Sequence, residues 1–586
     1  MSDAYLDVQR VGKIDYLSRQ IIPYIGNKRS LLPLIHRAIV HVFPGGIGGR
    51  KFLDPFAGSG VVSRFAKYLG FEVFCNDWEL YSYLSCFAFL KINPADLDNM
   101  YAEWGGIDGV LQHMNSLPPV GADYEFIARY YSPKNDAQAD YRRERLFYTR
   151  ENGCTIDKIR GEIERLYPFP IKPVSINGAY AGSALSEHGA YREKALLLAL
   201  LIHGAATHTN TSGVFKAYHK GFGGFSGDAL SRILKTIVLR RPQLWESNQP
   251  QHVCMMDATQ LLEHLGNREF DIAYLDPPYN QHQYGSNYHL LNTIALWDGL
   301  SPGDRETGGK AGIRKDWVLT RSDYCYRNTA YGAFGTLLNK LKARYIFISY
   351  STEGIISFDM LIKLCASCGK VKLFTDEYIK YRGGRQSIHR LNHNVEFLIL
   401  IDTAGHTVQS DLQAIDERVT ERKLNLQTRC SYVRERLLKH FILDEAQERL
   451  GFALGDRTLW IETQGFLRLA ETDLIGLIDR LDLTISRRRE LKEKLLEALQ
   501  QCQSVDRVEE LQQVLLLVRE GGYDQYLFAE RIPDILRKIA HKKYREIFME
   551  SLAEIRGLEL SSPKAFSRIA GKIDAVEELA KKRFEG

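Results

Sequence analysis

At 586 residues, 45% hydrophobic and 25% charged, the chain has the profile of a globular protein of roughly two to four domains. It has no apolar run of about eighteen residues, which excludes a membrane-spanning helix and a membrane partner, and Met1 to Arg10 lacks the charged-then-apolar order of a secretory signal; nine scattered cysteines fit a reducing, cytoplasmic setting better than a disulfide framework. The net charge of +5 is uneven, with 46 Lys+Arg against 39 Asp+Glu up to residue 400 and 31 against 33 after it, so the first part permits a polyanionic partner without demanding one.

Tyr24-Ile25-Gly26-Asn27-Lys28-Arg29-Ser30 is the first distinctive stretch. Ser30 is placed to cap an apolar-periodic helix over Leu31 to Val40, and Pro33 falls in its first turn, where proline is tolerated. Lys51-Phe52-Leu53-Asp54 reads as a short strand. It leads into Pro55-Phe56-Ala57-Gly58-Ser59-Gly60, a helix from Val61 to Leu69 ended by Gly70, and a second strand, Phe71 to Phe74, closing at Asn76-Asp77. Strand, glycine turn, helix and acid-ended strand form the layout of a nucleotide-binding βαβ unit. The glycines let backbone amides approach a ligand closely. Asp77 follows Gly60 by seventeen residues, a distance suited to holding two ribose hydroxyls. Gly58-Ser59-Gly60 lacks the third glycine of the dinucleotide fingerprint, so a nucleoside-type ligand is expected.

Ser82 to Pro250 interrupts this pattern. It is rich in tyrosine and arginine, as in Tyr141-Arg142-Arg143-Glu144-Arg145-Leu146-Phe147-Tyr148. Arginine interleaved with aromatic rings suits phosphate contact and base stacking, although a solvated amphipathic helix has the same composition. Glu193 to His203 reads as a buried helix. Asn210-Thr211-Ser212-Gly213 then opens a loop bearing Lys216, His219 and Lys220 before the stretch from Gly221 to Gly227, a second candidate for nucleic-acid contact.

The α/β alternation resumes with His252 to Met256, ending at Asp257, and Phe270 to Leu275, ending at Asp276-Pro277-Pro278-Tyr279. Ligands bind at the carboxyl edge of open parallel sheets, and proline cannot continue a central ladder. The two prolines stiffen the turn. Asp276 and the Pro277 carbonyl then offer acceptors beside the flat ring of Tyr279, a rim that suits a planar base carrying an exocyclic amine. Arg344 to Ser349, Val371 to Phe374 and Val395 to Ile401 read as further strands, with a helix around Phe358 to Cys368. Asp54, Asp77, Asp257 and Asp276 all stand at strand carboxyl ends, which gathers four carboxylates on one edge of one sheet. Cys365 and Cys368 have no second pair at zinc spacing, so no metal site is expected. Beyond about 402, leucine and charge repeat at helical spacing, as in Leu483 to Leu499 and Val505 to Val518, punctuated by Pro533 and Pro563.

Taken together, these motifs resemble the alpha group of S-adenosylmethionine-dependent DNA adenine-N6 methyltransferases, in which cofactor motifs come first, target recognition next and the catalytic motif last. The resemblance runs over roughly 20–402 and implies a Rossmann-like methyltransferase sheet, with 82–250 as a large recognition insert; 403–586 is expected to be an all-helical C-terminal domain. It implies that Tyr24, Lys28, Asp54, Phe56, Gly58, Gly60, Asp77 and Asp257 hold S-adenosylmethionine and that Asp276, Pro277 and Tyr279 are catalytic. The implied activity is methyl transfer to the N6 amine of a flipped adenine. Double-stranded DNA is the implied partner, with a cognate restriction endonuclease as a candidate second one. The long insert departs from short relatives, so its target sequence does not carry over. Three other readings stay open: cytosine N4 as the target, against which aspartate rather than serine at 276 counts; RNA adenine; and a non-catalytic DNA-binding regulator, against which the intact Asp77 and Asp276 count.

Overall fold

The computed structural model describes residues 14–171, 175–176, 179–180, 189–224, 229–305, 307–352, 354–375, 396–428, 430–470, 473–521 and 525–585. Met1 to Arg10, Gly227 and Val395 lie outside the described residues. Of the described residues, those up to 375 and Glu396–Asp411 form one compact unit, and those from Leu412 onward form a second.

The first unit is built on α1 (Leu32–Val42), β1 (Lys51–Asp54), α2 (Val61–Leu69), β2 (Glu72–Asn76), α3 (Leu80–Lys91), α4 (Arg150–Leu166) and α5 (Gly189–Thr207). It continues with β3 (Gln251–Cys254), α6 (Ala258–Leu265), β4 (Phe270–Leu275), α7 (His289–Leu296), α8 (Ala330–Lys340), β5 (Ala343–Ser351), α9 (Phe358–Ala366), β6 (Lys370–Thr375) and β7 (Glu396–Asp402). Ser30 is not the expected cap. A tight turn, Arg29–Leu31, precedes α1, and no side chain caps the helix.

Seven strands make one sheet in the order β6-β7-β5-β4-β1-β2-β3. The pairs β1–β2, β1–β4, β2–β3 and β4–β5 are parallel, whereas β7 lies antiparallel to both β5 and β6. In the central strand β4 every residue but Asp271 is buried, as expected of a strand covered on both faces. The chain runs outward from β1 to β2 and β3 and then returns to β4 on β1's other side. That reversal makes β1 and β4 the switch point, where a crevice opens beyond the carboxyl ends.

The stretch assigned to the insert begins inside α3. This helix is buried on nearly all sides, packs on β3 and α5, and belongs with the sheet. Its apolar residues surround the axis, so it shows no stripe by which a sequence reading could orient it. Tyr141 to Tyr148 is a turn rather than a helix, with Leu146, Phe147 and Tyr148 buried.

The second unit is not all helical. After α10 (Gln409–Gln427), which begins within the first unit, it contains a four-stranded antiparallel sheet: β8 (Ile442–Asp444), β9 (Arg449–Leu454), β10 (Arg457–Gln464) and β11 (Arg468–Leu469). α11 (Ile485–Cys502), α12 (Arg507–Glu520), α13 (Ile532–Ile539), α14 (Arg545–Ser561) and α15 (Ala570–Glu585) follow. Leu459, Ile461 and Thr463 are buried at every second position of β10, and Gly455-Asp456 forms the two-residue link to β9. This is the period and turn chemistry of a hairpin. Leucine-and-charge texture on either side concealed it.

Candidate active site

The carboxyl ends at the switch point open on a cleft, the place where open parallel sheets bind ligands. Asp54, Asp77, Asp257 and Asp276 all line it, as do Tyr24, Lys28, Phe56, Gly58, Pro277 and Tyr279. Gly60 does not. It adopts φ +73° as the residue that starts α2, a conformation few residues but glycine take up, and a side chain there would meet Cys86 Sγ at 3.0 Å.

One wall is the turn after β1. Gly58 has φ +53°; its N–H donates to Asp77 Oδ2 at 2.7 Å, and its carbonyl accepts from Ser82 Oγ at 2.6 Å. A Cβ at Gly58 would stand 2.8 Å from Tyr24 Cε1, so the turn is pressed against that ring. Tyr24 cannot yield easily. It stacks on both Tyr284 and Tyr288, with centroids 5.0 Å away at 14° and 8°, and the Ile25 N–H donates to the Tyr288 hydroxyl at 2.8 Å.

The carboxylates differ in how they are satisfied. Asp54 Oδ2 accepts from Ser63 Oγ at 2.7 Å, and the Phe56 backbone N–H faces the carboxyl, while Oδ1, buried in the cavity wall, makes no hydrogen bond of ordinary geometry. Burial pushes the Asp54 carboxyl up to about 7, and Asp276 and Asp77 add to the rise. Asp77 accepts the N–H groups of Gly58 and, at 2.9 Å, Glu79, yet burial still pushes it up to about 6. Ser82 and the Trp78 backbone also hydrogen-bond to it and favour its charged form. Asp257 Oδ1 caps α6, accepting from Thr259 and Gln260 at 2.8 and 3.3 Å. Phe56 stands edge-on to Tyr324 at 5.2 Å.

The opposite wall is the Asp276 rim. Lys28 Nζ lies 3.1 Å from Asp276 Oδ1, with the side chains 4% and 17% exposed. The same ammonium donates to the Tyr279 hydroxyl at 3.4 Å and lies 4.9 Å from that ring's centroid. Burial works against the Lys28 charge, but Asp276, Tyr279, Glu396 and Tyr274 together outweigh it and hold the lysine's pKa well above the usual value. Tyr279 is fixed from behind: its ring meets Tyr350 at 5.5 Å, and its carbonyl accepts the Ile355 N–H at 3.1 Å. The sequence reading grouped Lys28 with cofactor residues. In the structure its ammonium sits on the Asp276 rim.

Several lining residues escaped the sequence reading: Trp78, Glu79, Tyr284, Thr320, Ser322 and Tyr324. Glu79 is buried, accepts from Asn292 Nδ2 at 2.6 Å, and is pushed by burial up to about 7. It joins the end of β2 to α7. Its place two residues after Asp77 was the available signal. Tyr284 and Tyr288 show one helical turn of spacing, but Thr320 to Tyr324 come from a segment with no periodic pattern.

A family model described as D12 class N6 adenine-specific DNA methyltransferase matches residues 24–172 and 187–361. The type II methyltransferase M.NlaIII of Neisseria lactamica is 30% identical over 389 residues, an alignment covering 65% of this chain and 98% of that protein. M.FokI of Planomicrobium okeanokoites is 30% identical over 386 residues, 65% of this chain and 53% of that protein. M.CviAII of Paramecium bursaria Chlorella virus 1 is 29% identical over 363 residues, covering 62% and 93%. The chain thus spans nearly all of two of these relatives and about half of M.FokI. No solved structure matches the chain.

Proposed function

We infer the working of the site from one premise: the chain belongs to the D12 class N6 adenine-specific DNA methyltransferases. It is a site-specific DNA methyltransferase acting on adenine. Its type II relatives support a restriction–modification setting, with double-stranded DNA as substrate and a cognate endonuclease as second partner. Among the described residues no helix is long and apolar enough to cross a membrane.

The family's methyl donor is S-adenosylmethionine, and two features of the cavity fit it. The buried Asp54 carboxyl, whose Oδ1 makes no hydrogen bond of ordinary geometry, suits a donor or a positive charge, and the Gly58 turn, which has no side chain to stand between it and Tyr24, brings backbone to the cavity wall. Tyr24, Phe56, the Gly58 turn, Asp77 and Asp257 would hold the nucleoside part, with Gly60 setting the turn and Asp54 beside the charged end. When bound, S-adenosylmethionine supplies an electrophilic sulfonium methyl.

The rim does the rest. Adenine's amine is a weak nucleophile because its lone pair is delocalised into the ring. A base flipped out of the duplex stacks on Tyr279, and Asp276 and the Pro277 carbonyl accept its two amine hydrogens. Those preorganised acceptors favour the localised lone pair as positive charge develops on nitrogen. Lys28 fixes the Asp276 carboxylate in place. As the new N–C bond forms, one amine proton departs on the Asp276 side, and no covalent enzyme intermediate is required. Recognition is assigned to the insert 82–250, in its part beyond α3.

One observation carries this reading: the Lys28–Asp276–Tyr279 cluster opens on the same cavity as Asp54 and Asp77. The test is transfer of labelled methyl to duplex DNA and to RNA, followed by nucleoside analysis, with N6-methyladenine in duplex DNA expected. Label in cytosine, or in RNA alone, overturns it. Asp276→Ala should lower the single-turnover rate by roughly a hundredfold or more with cofactor affinity little changed. A near-normal rate in folded protein would make the motif a structural turn.

A further inference from the structure

Two stretches singled out in the sequence, 141–148 and 210–220, are far apart in the chain yet meet in the structure, together with a third that the sequence did not flag. The Tyr141 ring lies 5.0 Å from Lys310 Nζ, 5.2 Å from Lys220 Nζ and 5.2 Å from the Arg142 guanidinium carbon. Lys310 also stands 5.9 Å from the Tyr218 ring. Arg142, Lys220 and Lys310 are exposed. Among the neighbouring acids, Asp140 accepts the Arg142 N–H at 2.9 Å and its other oxygen lies 3.8 Å from Arg143 Nε, and Glu144 accepts the N–H groups of Lys134 and Asp140. Three cations thus surround one aromatic ring.

Each cationic segment is fastened to an element leaving the catalytic rim. The 210–220 loop is joined to the chain just beyond Tyr279, because the Phe215 N–H donates to the Asn287 carbonyl at 2.6 Å and the Phe215 carbonyl lies 3.0 Å from His289 Nε2. The Lys310 carbonyl accepts from Arg145 Nε at 2.8 Å, which clasps the first segment to the third. Ten residues after Lys310, Thr320 lines the catalytic cavity. Ten residues span at most about 35 Å, which is about one turn of B-DNA.

We propose that Tyr141, Arg142, Lys220 and Lys310 form a platform that grips the phosphate backbone of the duplex within about one helical turn of the flipped base, independently of base sequence. The proposal rests on the DNA-methyltransferase reading. Long, exposed cations beside a half-buried ring suit phosphate neutralisation better than base reading, and each phosphate neutralised contributes to the salt dependence of binding. The Lys310 and Lys220 ammonium groups already stand beside the Tyr141 ring, so the platform is preformed.

The experiment uses the full chain carrying Lys220→Gln, Lys310→Gln or both. Binding to three duplexes of unrelated sequence is measured against salt concentration, and cofactor affinity is measured by calorimetry. Each substitution should weaken binding to all three duplexes alike and reduce the slope of log K against log salt by about 0.9, leaving cofactor affinity unchanged. Lys220→Arg and Lys310→Arg should restore the slope. Unchanged binding, or weaker binding with an unchanged slope, would refute the platform, and an effect confined to one duplex would mean base reading instead. Wild-type chain that methylates no DNA would sink the functional reading itself, whereas wild-type activity with unaltered variants sinks only the platform.

Discussion

Replacing Lys28 by methionine keeps an unbranched apolar stem and removes the ammonium. The lost contacts are the 3.1 Å pair with Asp276 and the approach to the Tyr279 hydroxyl and ring. With Lys28 only 4% exposed and Asp276 17%, water replaces the ammonium poorly. A hydrogen bond to a charged partner contributes about 1.5–3 kcal/mol, or roughly ten- to 150-fold in rate if Asp276 must be held in place for the reaction. The assay is rapid-quench single turnover with saturating labelled S-adenosylmethionine and excess enzyme, with cofactor affinity from calorimetry on the same preparation. The expected result is a rate loss in that range with cofactor affinity little changed, and partial recovery in Lys28→Arg. A large loss of cofactor affinity with a normal rate at saturation would place Lys28 among the cofactor residues and refute the positioning argument.

Asp77→Ala should weaken cofactor binding by about tenfold or more, since it removes charge-assisted bonds and releases the Gly58 amide; unchanged affinity by calorimetry removes Asp77 from the site. Tyr279→Phe should keep most activity and Tyr279→Ala lose much of it, because base stacking contributes about 1–3 kcal/mol; equal losses would shift the role to the hydroxyl. Asp54 has a folded pKa of about 7 against 3.8 ordinarily, so its folded form favours the proton. Its contribution to stability is greatest below pH 3.8 and is lost as pH rises through 7. Asp54→Asn should therefore stabilise the cofactor-free protein at pH 8, on the order of a few kcal/mol, with the difference in Tm shrinking toward pH 4; a difference that does not change with pH would refute the assignment.

The legible part of the molecule was the part governed by strand ends. Asp54, Asp77, Asp257 and Asp276 each follow a short apolar run, and a parallel sheet sends all such runs to one edge, so their convergence on one cavity was readable before any coordinates. Lys28 was legible as a site residue but not by its partner, because which wall a lysine tip touches depends on packing between segments nearly 250 residues apart. Glu79 was marked in the sequence only by its place two residues after Asp77; that it is buried depends on neighbours such as Asn292. The β9–β10 hairpin could have been found from Gly455-Asp456 and the alternation of Leu459, Ile461 and Thr463. The boundary of the insert could not, since α3 is apolar all round and carries no phase.

The adjacency of β2 and β3 has a thermodynamic consequence. Asn76 and Cys254 are partners in register, yet residues 77–253 intervene. The chain departs from the sheet and comes back at nearly the same point. The entropy of closing such an excursion grows only with the logarithm of its length, about 0.6 kcal/mol for each doubling. Loops within this stretch can therefore be lengthened or trimmed at little entropic cost while β2 and β3 remain paired, whereas α5, which packs on α3, cannot be removed so freely; if recognition lies in those loops, what is read can change with little effect on whether the sheet folds.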